Sequence, residues 1–358
     1  MNHFHPLRIA RLEHDTRDAV VLQFDVPAEL GAAFRYEPGQ HLTLKHRVDG
    51  EELRRSYSIC SATQDGTLRV AIKRVPGGAF SEWAHRALKA GETIEVLPPE
   101  GRFFRGLPAS GGASHQLAFA AGSGITPILS IAKTTLQSDP QARFTLVYGN
   151  RASSTVMFRE ELAALKDRYL DRFNLVHVLS REHQDVELFN GRIDGAKVKA
   201  LMAHWLSVDD VDQAYICGPE AMMLEVREAL QACGLARDRI HVELFGTAQP
   251  VVHRKRSVAP ADAGCEVTLV MDGARRLFTM PRDGSVSVLD AALAAGLDVR
   301  HSCKGGVCAT CRCKLVEGEV DMDANYALED YEIARGFRLS CQSFPASAAL
   351  VVDFDTDH

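Results

Sequence analysis

Four cysteines near the C-terminus constrain this chain more than any other feature of its sequence, namely Cys303, Cys308, Cys311 and Cys341. The first three follow the spacing C-x4-C-x2-C, and 29 residues intervene before the fourth. One tight loop can therefore supply three thiolates, while a distant segment supplies the fourth. This arrangement suits two iron atoms bridged by sulfide, so the spacing predicts a [2Fe–2S] cluster. Gly305 and Gly306 would allow the loop to turn its amide groups toward the sulfurs.

A structural zinc site is the alternative interpretation of these cysteines. Such sites usually show two paired C-x2-C knuckles. Cys341 has no partner cysteine two or three residues away, so the second knuckle is missing. The pattern therefore favours the iron–sulfur cluster, and we expect the chain to carry single electrons.

Length and composition place few other limits on the chain. Its 358 residues predict two or three domains, and 46% hydrophobic with 25% charged residues is ordinary for a soluble protein. No apolar run approaches the roughly 18 residues of a membrane span, and the first fifteen residues lack the apolar core of a signal peptide. Five further cysteines show no disulfide-like spacing. We therefore expect a cytoplasmic protein without membrane contact.

The net charge of −6 is concentrated at one end of the chain. Residues 263–358 hold 15 acidic and 9 basic residues, a difference of −6, whereas residues 1–262 hold 32 of each. This distribution argues against nucleic acid as a partner and suits docking with a protein. The acidic residues after the cysteine loop are expected to form the docking surface, namely Asp321, Asp323, Glu329 and Asp330.

The first predicted domain, residues 1–108, has the pattern of a small closed antiparallel barrel. One short helix is predicted over Phe80–Leu88, and Asp49-Gly50 is a strong tight-turn signal between two strands. Alternating apolar runs predict the strands Val20–Val26, His41–Val48, Leu53–Cys60, Leu68–Val75 and Thr93–Leu97. A small-residue linker, Leu107–Ser114, follows.

The second predicted domain, residues 115–246, alternates strands and helices, which indicates a parallel sheet covered by helices. The predicted strands are Leu117–Ala120, Phe144–Tyr148, Leu175–Leu179, Ala214–Cys217 and Ile240–Phe245. The clearest helices are Ser130–Leu136, Phe158–Tyr169 and Ala221–Cys233.

The third predicted domain, residues 263–358, follows a linker over Gly246–Ala263 whose basic run we interpret as solvated. Its pattern predicts a hairpin that turns at Asp272-Gly273, a helix over Val286–Ala295, the cysteine loop, and a closing strand over Leu350–Phe354.

Two motifs in the barrel point to a dinucleotide that carries an aromatic ring. The first is the strand segment Arg55-Ser56-Tyr57-Ser58, and the second is Gly77-Gly78-Ala79-Phe80-Ser81 at the start of the short helix. Glycines that open a helix leave its first amides for an anion, and the hydroxyl of Ser81 and the guanidinium of Arg55 could bind the same diphosphate. Arg55 and Tyr57 share a strand face, so the ring could stack on a flavin.

A third motif, Gly122-Ser123-Gly124-Ile125-Thr126-Pro127, lies between a predicted strand and a predicted helix. Its glycines permit close approach of a pyrophosphate, and the helix N-terminus supplies a positive field. Pro127 suits an early helical position, where its missing N–H costs nothing. The motif predicts a nicotinamide dinucleotide site.

With these motifs the chain resembles the ferredoxin–NADP reductase family. The resemblance implies that FAD is bound with Tyr57 on the isoalloxazine ring and Ser58 near its N5 atom. The family also has a Cys-Gly motif at a strand end, here Cys217-Gly218. By the same resemblance, Cys217, Ser58 and Glu243 would surround the nicotinamide, and Phe245 would lie close to the flavin. A plain core role stays open for Cys217 and Phe245.

The choice of dinucleotide depends on the ends of the second and third strands of the nucleotide domain. The second ends in Tyr148-Gly149-Asn150-Arg151, without the acid that usually accepts the ribose hydroxyls of NAD. Ser180-Arg181 after the third strand resembles the pair that plant-type members use on a 2′-phosphate. An Arg suits that dianion, which favours NADPH and leaves NADH open.

The order of flavin barrel, nucleotide domain and C-terminal β-grasp ferredoxin domain resembles that of oxygenase reductase components. The resemblance covers essentially the whole chain, with matching tracts at Tyr36–Leu44, Gly50–Arg55, Ala120–Pro127, Tyr215–Pro219, Lys304–Cys311 and Val351–Asp355. It implies an enzyme that passes electrons from NADPH through FAD and the cluster to the di-iron oxygenase subunits of a multicomponent complex. Two alternatives are a reductase for another partner, such as a hybrid-cluster protein, and a pure electron carrier with degenerate upstream domains. The intact motifs speak against the latter.

Overall fold

A computed structural model describes residues 3–106, 114–245 and 264–356 of the chain. The linker predicted over Leu107–Ser114 lies outside these residues except for Ser114, and the linker over Gly246–Ala263 lies wholly outside them. Residues 3–245 form one compact unit and residues 264–356 belong to another. No helix in the described part of the chain is long and apolar enough to cross a membrane.

The first sheet, within residues 3–106, is antiparallel and has the strand order β4-β3-β6-β1-β2-β5. Its strands are β1 His5–Thr16, β2 Ala19–Asp25, β3 His41–Val48, β4 Glu51–Ser58, β5 Leu68–Lys73 and β6 Thr93–Val96. A single bridge between Ile59 and Val70 links the end of β4 to β5 and so closes the barrel. The five predicted strands are confirmed, with ends shifted by at most two residues. β1 was not predicted, because only Leu7 and Ile9 of its twelve side chains are buried and the apolar alternation is therefore short.

Side chains that alternate along the strands fill the barrel. The buried set includes Leu7, Ile9, Val20, Leu22, Phe24, Leu42, Leu44, Leu68, Val70, Ile72, Ile94 and Val96. Helix α1, Ala79–Arg86, adds Phe80 and Ala84 to this core. The predicted turn between β3 and β4 is confirmed, since Asp49 and Gly50 have φ values of +49° and +87°, as a type I′ hairpin requires.

The second sheet is parallel, with the order β11-β10-β7-β8-β9. Its strands are β7 His115–Ala121, β8 Arg143–Asn150, β9 Phe173–Leu179, β10 Gln213–Cys217 and β11 Ile240–Glu243. The helices are α2 Ile125–Ser138, α3 Arg159–Arg168, α4 Gly195–His204 and α5 Glu220–Ala232. The predicted parallel-sheet domain is therefore confirmed. α4 was not predicted, although Asp194 is an N-cap signal and its carboxylate accepts the amide of Lys197 at 2.8 Å.

Helix α2 begins five residues earlier than predicted. Gly122–Gly124 forms a single 3₁₀ turn that leads directly into the helix, so Pro127 stands in the first turn. The helix is buried from Ile125 to Leu136 and packs on β7, β8 and β10. An element buried along nearly its whole length shows little amphipathic period, which explains the late predicted start.

Charged side chains join the barrel to the helices of the nucleotide domain within this unit. Lys133 Nζ of α2 lies 2.5 Å from Asp65 Oδ2 and 2.6 Å from Glu161 Oε1 of α3. Arg69 of β5 approaches the same Glu161 carboxylate at 3.2 Å. All four side chains are at most one quarter exposed, so they are screened less than surface pairs. They fasten β5 and the connection before it to α2 and α3.

The unit formed by residues 264–356 contains the predicted cluster cysteines and is called the iron–sulfur unit below. It has a mixed sheet in the order β13-β12-β18-β14-β16 and a separate pair, β15 and β17. Its strands are β12 Gly264–Met271, β13 Ala274–Pro281, β14 Arg312–Glu317, β15 Val320–Met322, β16 Phe337–Leu339, β17 Ser343–Pro345 and β18 Ala349–Asp353, and its helices are α6 Val288–Ala294 and α7 Asp330–Ala334. The predicted hairpin, helix and last strand are confirmed. β18 lies at the centre of the sheet, where it pairs in parallel with β12 and antiparallel with β14.

Candidate functional site

The order in which successive strands join the parallel sheet reverses between β7 and β10. Ligands of such sheets bind in the crevice at the carboxyl ends of the strands at this point. Gly124, after β7, packs directly on the backbone of Cys217, the last residue of β10. A Cβ at Gly124 would overlap the Cys217 carbonyl oxygen, so no other residue fits without a shift of the backbone. Gly218 is less confined, because its Cβ would lie 2.7 Å from the end of the flexible Met222 side chain and 3.2 Å from the backbone nitrogen of Ala121. The two predicted motifs therefore form one continuous surface.

Hydrogen bonds fix the loop at the start of α2. Gly122 has φ of +55°, and its carbonyl accepts the hydroxyl of Tyr148 at 2.8 Å. Thr126 donates its own hydroxyl to the carbonyl of Ser123 at 3.0 Å. The turn therefore keeps its shape without a ligand, and its geometry fits the pyrophosphate that the sequence predicts there.

Lys73 is a candidate residue that the sequence interpretation missed. It ends β5 of the barrel, and its Nζ atom lies 3.1 Å from the position that a Cβ of Gly122 would take. Burial lowers the pKa of Lys73, and the charge of Arg151 lowers it further. A cation beside the loop suits a pyrophosphate. The only signal in the sequence is a Lys at the end of a strand, which is too common to single out.

Ser58, Cys217 and Glu243 meet where the barrel adjoins the parallel sheet. Ser58 Oγ, at the end of β4, donates to Glu243 Oε2 at 3.5 Å. Cys217 and Glu243 are direct neighbours in the pairing of β10 with β11. Ser58 and Cys217 are buried. The structure thus brings together the three residues for which the family resemblance implies a place at the nicotinamide.

This group of three is largely uncharged at neutral pH. Burial raises the pKa of Glu243 to about 8, although the hydrogen bond from Ser58 opposes the shift. Burial also raises the pKa of the Cys217 thiol well above its ordinary value, and the nearby Glu243 adds to this. A neutral, packed wall can orient a nicotinamide ring for hydride transfer without attacking it. It does not need to act as an acid or a base.

The flavin motif on β4 presents its side chains as strand alternation requires. The ring of Tyr57 packs on Phe80 with centroids 5.7 Å apart, and burial raises its pKa. Arg55 is exposed, and its Nη1 donates to the carbonyl of Arg54 at 2.8 Å. Ser56 lies on the opposite face, 3.3 Å from the hydroxyl of Thr43. Arg55 is exposed and Tyr57 is half-buried, and the contact of both with FAD stays a prediction.

The glycine loop before α1 is stabilised by its own serine. Ser81 Oγ accepts the amide of Val75 at 3.1 Å and donates to the carbonyl of Gly78 at 3.1 Å. Gly77 has φ of +75°, and a Cβ at Gly78 would lie 2.8 Å from the serine hydroxyl. Both glycines are therefore required by the loop itself. The direct contact of Ser81 with a diphosphate stays a prediction.

The pair predicted to bind the 2′-phosphate follows β9. The amide of Ser180 donates to the carbonyl of Asn150 at 3.0 Å, and that of Arg181 donates to the carbonyl of Arg151 at 2.7 Å. The side chain of Arg181 is exposed at this edge. Phe245, predicted near the flavin, is the last described residue of its unit and is 44% exposed, which argues against a plain core role. Its contact with the flavin remains a prediction.

The cysteine loop turns its amides toward a sulfur, as predicted. The amides of Gly305, Val307 and Cys308 point at Cys303 Sγ, at 3.3, 3.5 and 3.4 Å. Gly306 has φ of +75°, and a Cβ there would lie 2.8 Å from the carbonyl oxygen of Ala324. The predicted requirement for glycine is therefore confirmed at Gly306. A Cβ at Gly305 would lie at an ordinary distance of 3.7 Å from the Cys303 carbonyl oxygen, so the prediction that a side chain would obstruct the loop is wrong for that residue.

The four predicted cluster ligands form two pairs. The thiol of Cys303 interacts with that of Cys308, and Cys311 interacts with Cys341. The hydrogen bond from Cys308, helped by the loop amides, lowers the pKa of Cys303 to about 5. No three His, Cys, Asp or Glu side chains converge as a single-ion site would require in the described ranges. Two thiol pairs with amide donors fit a two-iron cluster.

Comparisons with known proteins agree with these three sites. Residues 6–104 match the family model described as an oxidoreductase FAD-binding domain, residues 119–228 match an oxidoreductase NAD-binding domain, and residues 271–346 match a 2Fe-2S iron-sulfur cluster binding domain. The chain therefore has the domains for FAD, a pyridine nucleotide and a [2Fe–2S] cluster.

Relatives match along the whole chain. It is 48% identical to one of the subunits of the 1,2-phenylacetyl-CoA epoxidase of Escherichia coli over 99% of both chains, and 35% identical to the ferredoxin reductase component of 3-ketosteroid-9-alpha-monooxygenase of Rhodococcus rhodochrous over 97% of this chain and 96% of that one. The solved structure of phthalate dioxygenase reductase matches with a TM-score of 0.59, 25% identity and 98% coverage of both chains. The chain belongs to the family of NAD(P)H-dependent flavin and iron–sulfur reductases that serve as the reductase components of oxygenases.

Proposed function

We propose that this protein is the reductase subunit of a di-iron epoxidase complex that acts on phenylacetyl-CoA, and that NADPH is its electron donor. The observation that carries the proposal is the 48% identity to the Escherichia coli epoxidase chain over 99% of both sequences. All three cofactor motifs are present in full over that length.

The residues described above would have separate tasks. Tyr57 and Arg55 would hold the ring and diphosphate of FAD, while the loop at Gly122 and Lys73 would bind the pyrophosphate of the nucleotide. Ser58, Cys217 and Glu243 would orient the nicotinamide and keep water from it. Bound FAD supplies the chemistry that converts a two-electron hydride donor into a source of single electrons.

We also propose that Cys303 and Cys308 hold one iron of the cluster, and that Cys311 and Cys341 hold the other. The buried position of Cys311 and Cys341 and the amides around Cys303 support this assignment. Thiolates that accept amide hydrogen bonds are stabilised in the charged form that iron requires.

Arg181 provides the test for the nucleotide. If Ser180 and Arg181 bind the 2′-phosphate, Arg181→Ala should weaken NADPH binding much more than NADH binding. Loss of a charge-assisted hydrogen bond is worth about 1.5–3 kcal/mol, or roughly 10- to 150-fold in KM. The matched control is Arg192→Ala, an exposed Arg on the same connection. Equal effects on the two nucleotides would make Arg181 a surface charge only.

Reconstitution tests the partner. The purified protein is combined with the di-iron subunits, phenylacetyl-CoA and NADPH, and product formation is measured against oxygen uptake. Coupled epoxidation supports the proposal, and a Cys303→Ser variant provides the inactive control. Reduction of an artificial acceptor without epoxidation would contradict the assigned partner. A hybrid-cluster protein would then be tested in the same assay.

A further inference from the structure

An exposed acid at the edge of the nucleotide site is held more firmly than its exposure suggests. Glu182 Oε2 accepts the amide of Ser153 at 2.7 Å and the hydroxyl of the same residue at 2.9 Å. These two bonds lower the pKa of Glu182. The carboxylate is therefore an anion that occupies two converging donors at neutral pH.

This pair of residues lies at the edge where β7, β8 and β9 end. Asn150 and Leu179 are register partners at the last position of β8 and β9. Backbone pairing continues past the strands, since the amide of Arg181 donates to the carbonyl of Arg151. Glu182 follows Arg181 and Ser153 lies two residues after Arg151, so both residues lie at the carboxyl edge of the sheet. The charge of Arg159 also acts on the Glu182 carboxylate.

The chemistry of this arrangement suits a phosphate group. A backbone amide and a hydroxyl that point at one anionic oxygen, with the positive charge of Arg159 acting on the same oxygen, are donors that phosphate oxygens accept. In the usual NAD site, an acid at the end of the second strand accepts the ribose hydroxyls. Here β8 ends without an acid, and Glu182, from the segment after β9, brings a carboxylate to the same edge.

We propose that Ser153 is a ligand of the 2′-phosphate of NADPH and that Glu182 sets the preference between the two nucleotides by competing for the Ser153 donors. Without the phosphate, the carboxylate stands in its place. When NADPH binds, the 2′-phosphate takes over the Ser153 amide and hydroxyl, and Glu182 turns toward solvent. The negative charge of Glu182 therefore weakens binding of the 2′-phosphate, whereas Ser153 and Arg181 strengthen it. This inference rests on the proposed use of NADPH.

The test is direct binding to the FAD-loaded full chain, measured by calorimetry with adenosine 2′,5′-bisphosphate and with adenosine 5′-monophosphate. Glu182→Gln should raise affinity for the bisphosphate by about fivefold, because it removes one like charge that repels the phosphate near the surface. Ser153→Ala should lower that affinity by about fivefold, the typical effect of losing a neutral hydrogen bond. Neither change should alter affinity for the monophosphate. Glu187→Gln, an exposed acid on the same connection, is the matched control and should change neither.

A higher affinity for the bisphosphate in Glu182→Gln together with a lower affinity in Ser153→Ala supports competition for one pair of donors. If Glu182 only fastens the loop, both variants should weaken binding of both probes alike, and the inference is overturned. A wild-type protein that binds the two probes equally would contradict the proposed NADPH preference. In that case the direction of the affinity change in Glu182→Gln and in Ser153→Ala would still show whether the two residues compete with the phosphate or only fasten the loop.

Discussion

The flavin–nucleotide unit and the iron–sulfur unit assemble their sites in opposite ways. In the first, Ser58 and Glu243 meet although 185 positions separate them, and their contact needs a barrel and a parallel sheet packed together. In the second, three of the four predicted ligands lie within the nine positions 303–311, and the loop amides already point at a sulfur. One site depends on tertiary packing, and the other depends mainly on local backbone conformation. Mutations should therefore damage the two sites by different routes.

The largest expected effect comes from Cys303→Ser. Loss of this thiol should abolish the cluster, because the amide-supported ligand of one thiol pair is removed. Reduction of bound FAD by NADPH should continue, since the flavin site belongs to a separate unit. Iron content and the visible spectrum report the first result, and stopped-flow reduction of FAD reports the second. Loss of flavin reduction in this variant would show that the two sites are not independent.

Gly124→Ala should have the next largest effect. The added Cβ overlaps the Cys217 carbonyl, so β10 and the start of α2 must separate. Overpacking of this kind costs about 3 kcal/mol and should shift both the Tm and nucleotide affinity. Gly195→Ala is the control, because its Cβ would meet atoms only at ordinary distances of 3.5 Å and more. Similar Tm values for the two variants would contradict the tight contact at Gly124.

The raised pKa of Glu243 predicts a moderate pH effect. The folded protein keeps a proton on this residue up to about pH 8, whereas the unfolded chain loses it at about pH 4.3. The folded state thus binds more protons between these values, and stability falls as pH rises through this window. Glu243→Gln should remove a slope of up to about 1.4 kcal/mol per pH unit. Denaturant unfolding of both proteins from about pH 5 to about pH 8.5 measures the difference, and parallel curves would contradict the raised pKa.

The smallest effect concerns the acidic surface of the iron–sulfur unit. Asp321 is exposed and Asp323 is half-buried in the segment that follows the cluster loop, and residues 263–358 carry the whole excess of negative charge. Changing both to Lys should slow electron delivery to the oxygenase at low salt, since exposed charges steer association and are screened beyond about 10 Å at 0.1 M salt. Reduction of a small neutral dye should change less. Partner reduction that responds neither to salt nor to the charge reversal would point to an apolar docking surface.

The elements that the sequence predicted best are those with a regular period and a clear end. The β3–β4 hairpin and the parallel strands follow directly from alternation, apolar runs and the Asp49-Gly50 turn. β1 was missed because only two of its twelve side chains are buried, and α4 was missed because only its cap marks its start. Whether a strand or helix was predicted therefore depended on the strength of its local sequence signals.

The candidate site was predictable from the sequence wherever the conformation of a motif is determined by residues of the motifs themselves. The amides at Cys303 and the confined glycines at Gly78 and Gly124 are examples. Lys73 and Glu182 were not predictable, because each acts on a segment far away in the sequence and is an ordinary charged residue where it stands. The packing of β5 beside Gly122 brings Lys73 to the nucleotide loop, and the pairing beyond β8 and β9 brings Glu182 to Ser153.

The central position of β18 has a consequence for how the iron–sulfur unit forms. Its pairing of Ala349 with Glu266 of β12 closes a loop of 83 residues (349 − 266), and all four cluster cysteines lie inside that loop. Contacts that span so much chain form late and slow the folding of a domain. The loop that carries three of the cysteines is local and can form early, whereas the sheet that supports it is completed late. We expect cluster insertion in the cell to be limited by the folding rate of the chain, so a slower-folding variant would accumulate without iron even where iron and sulfide are plentiful.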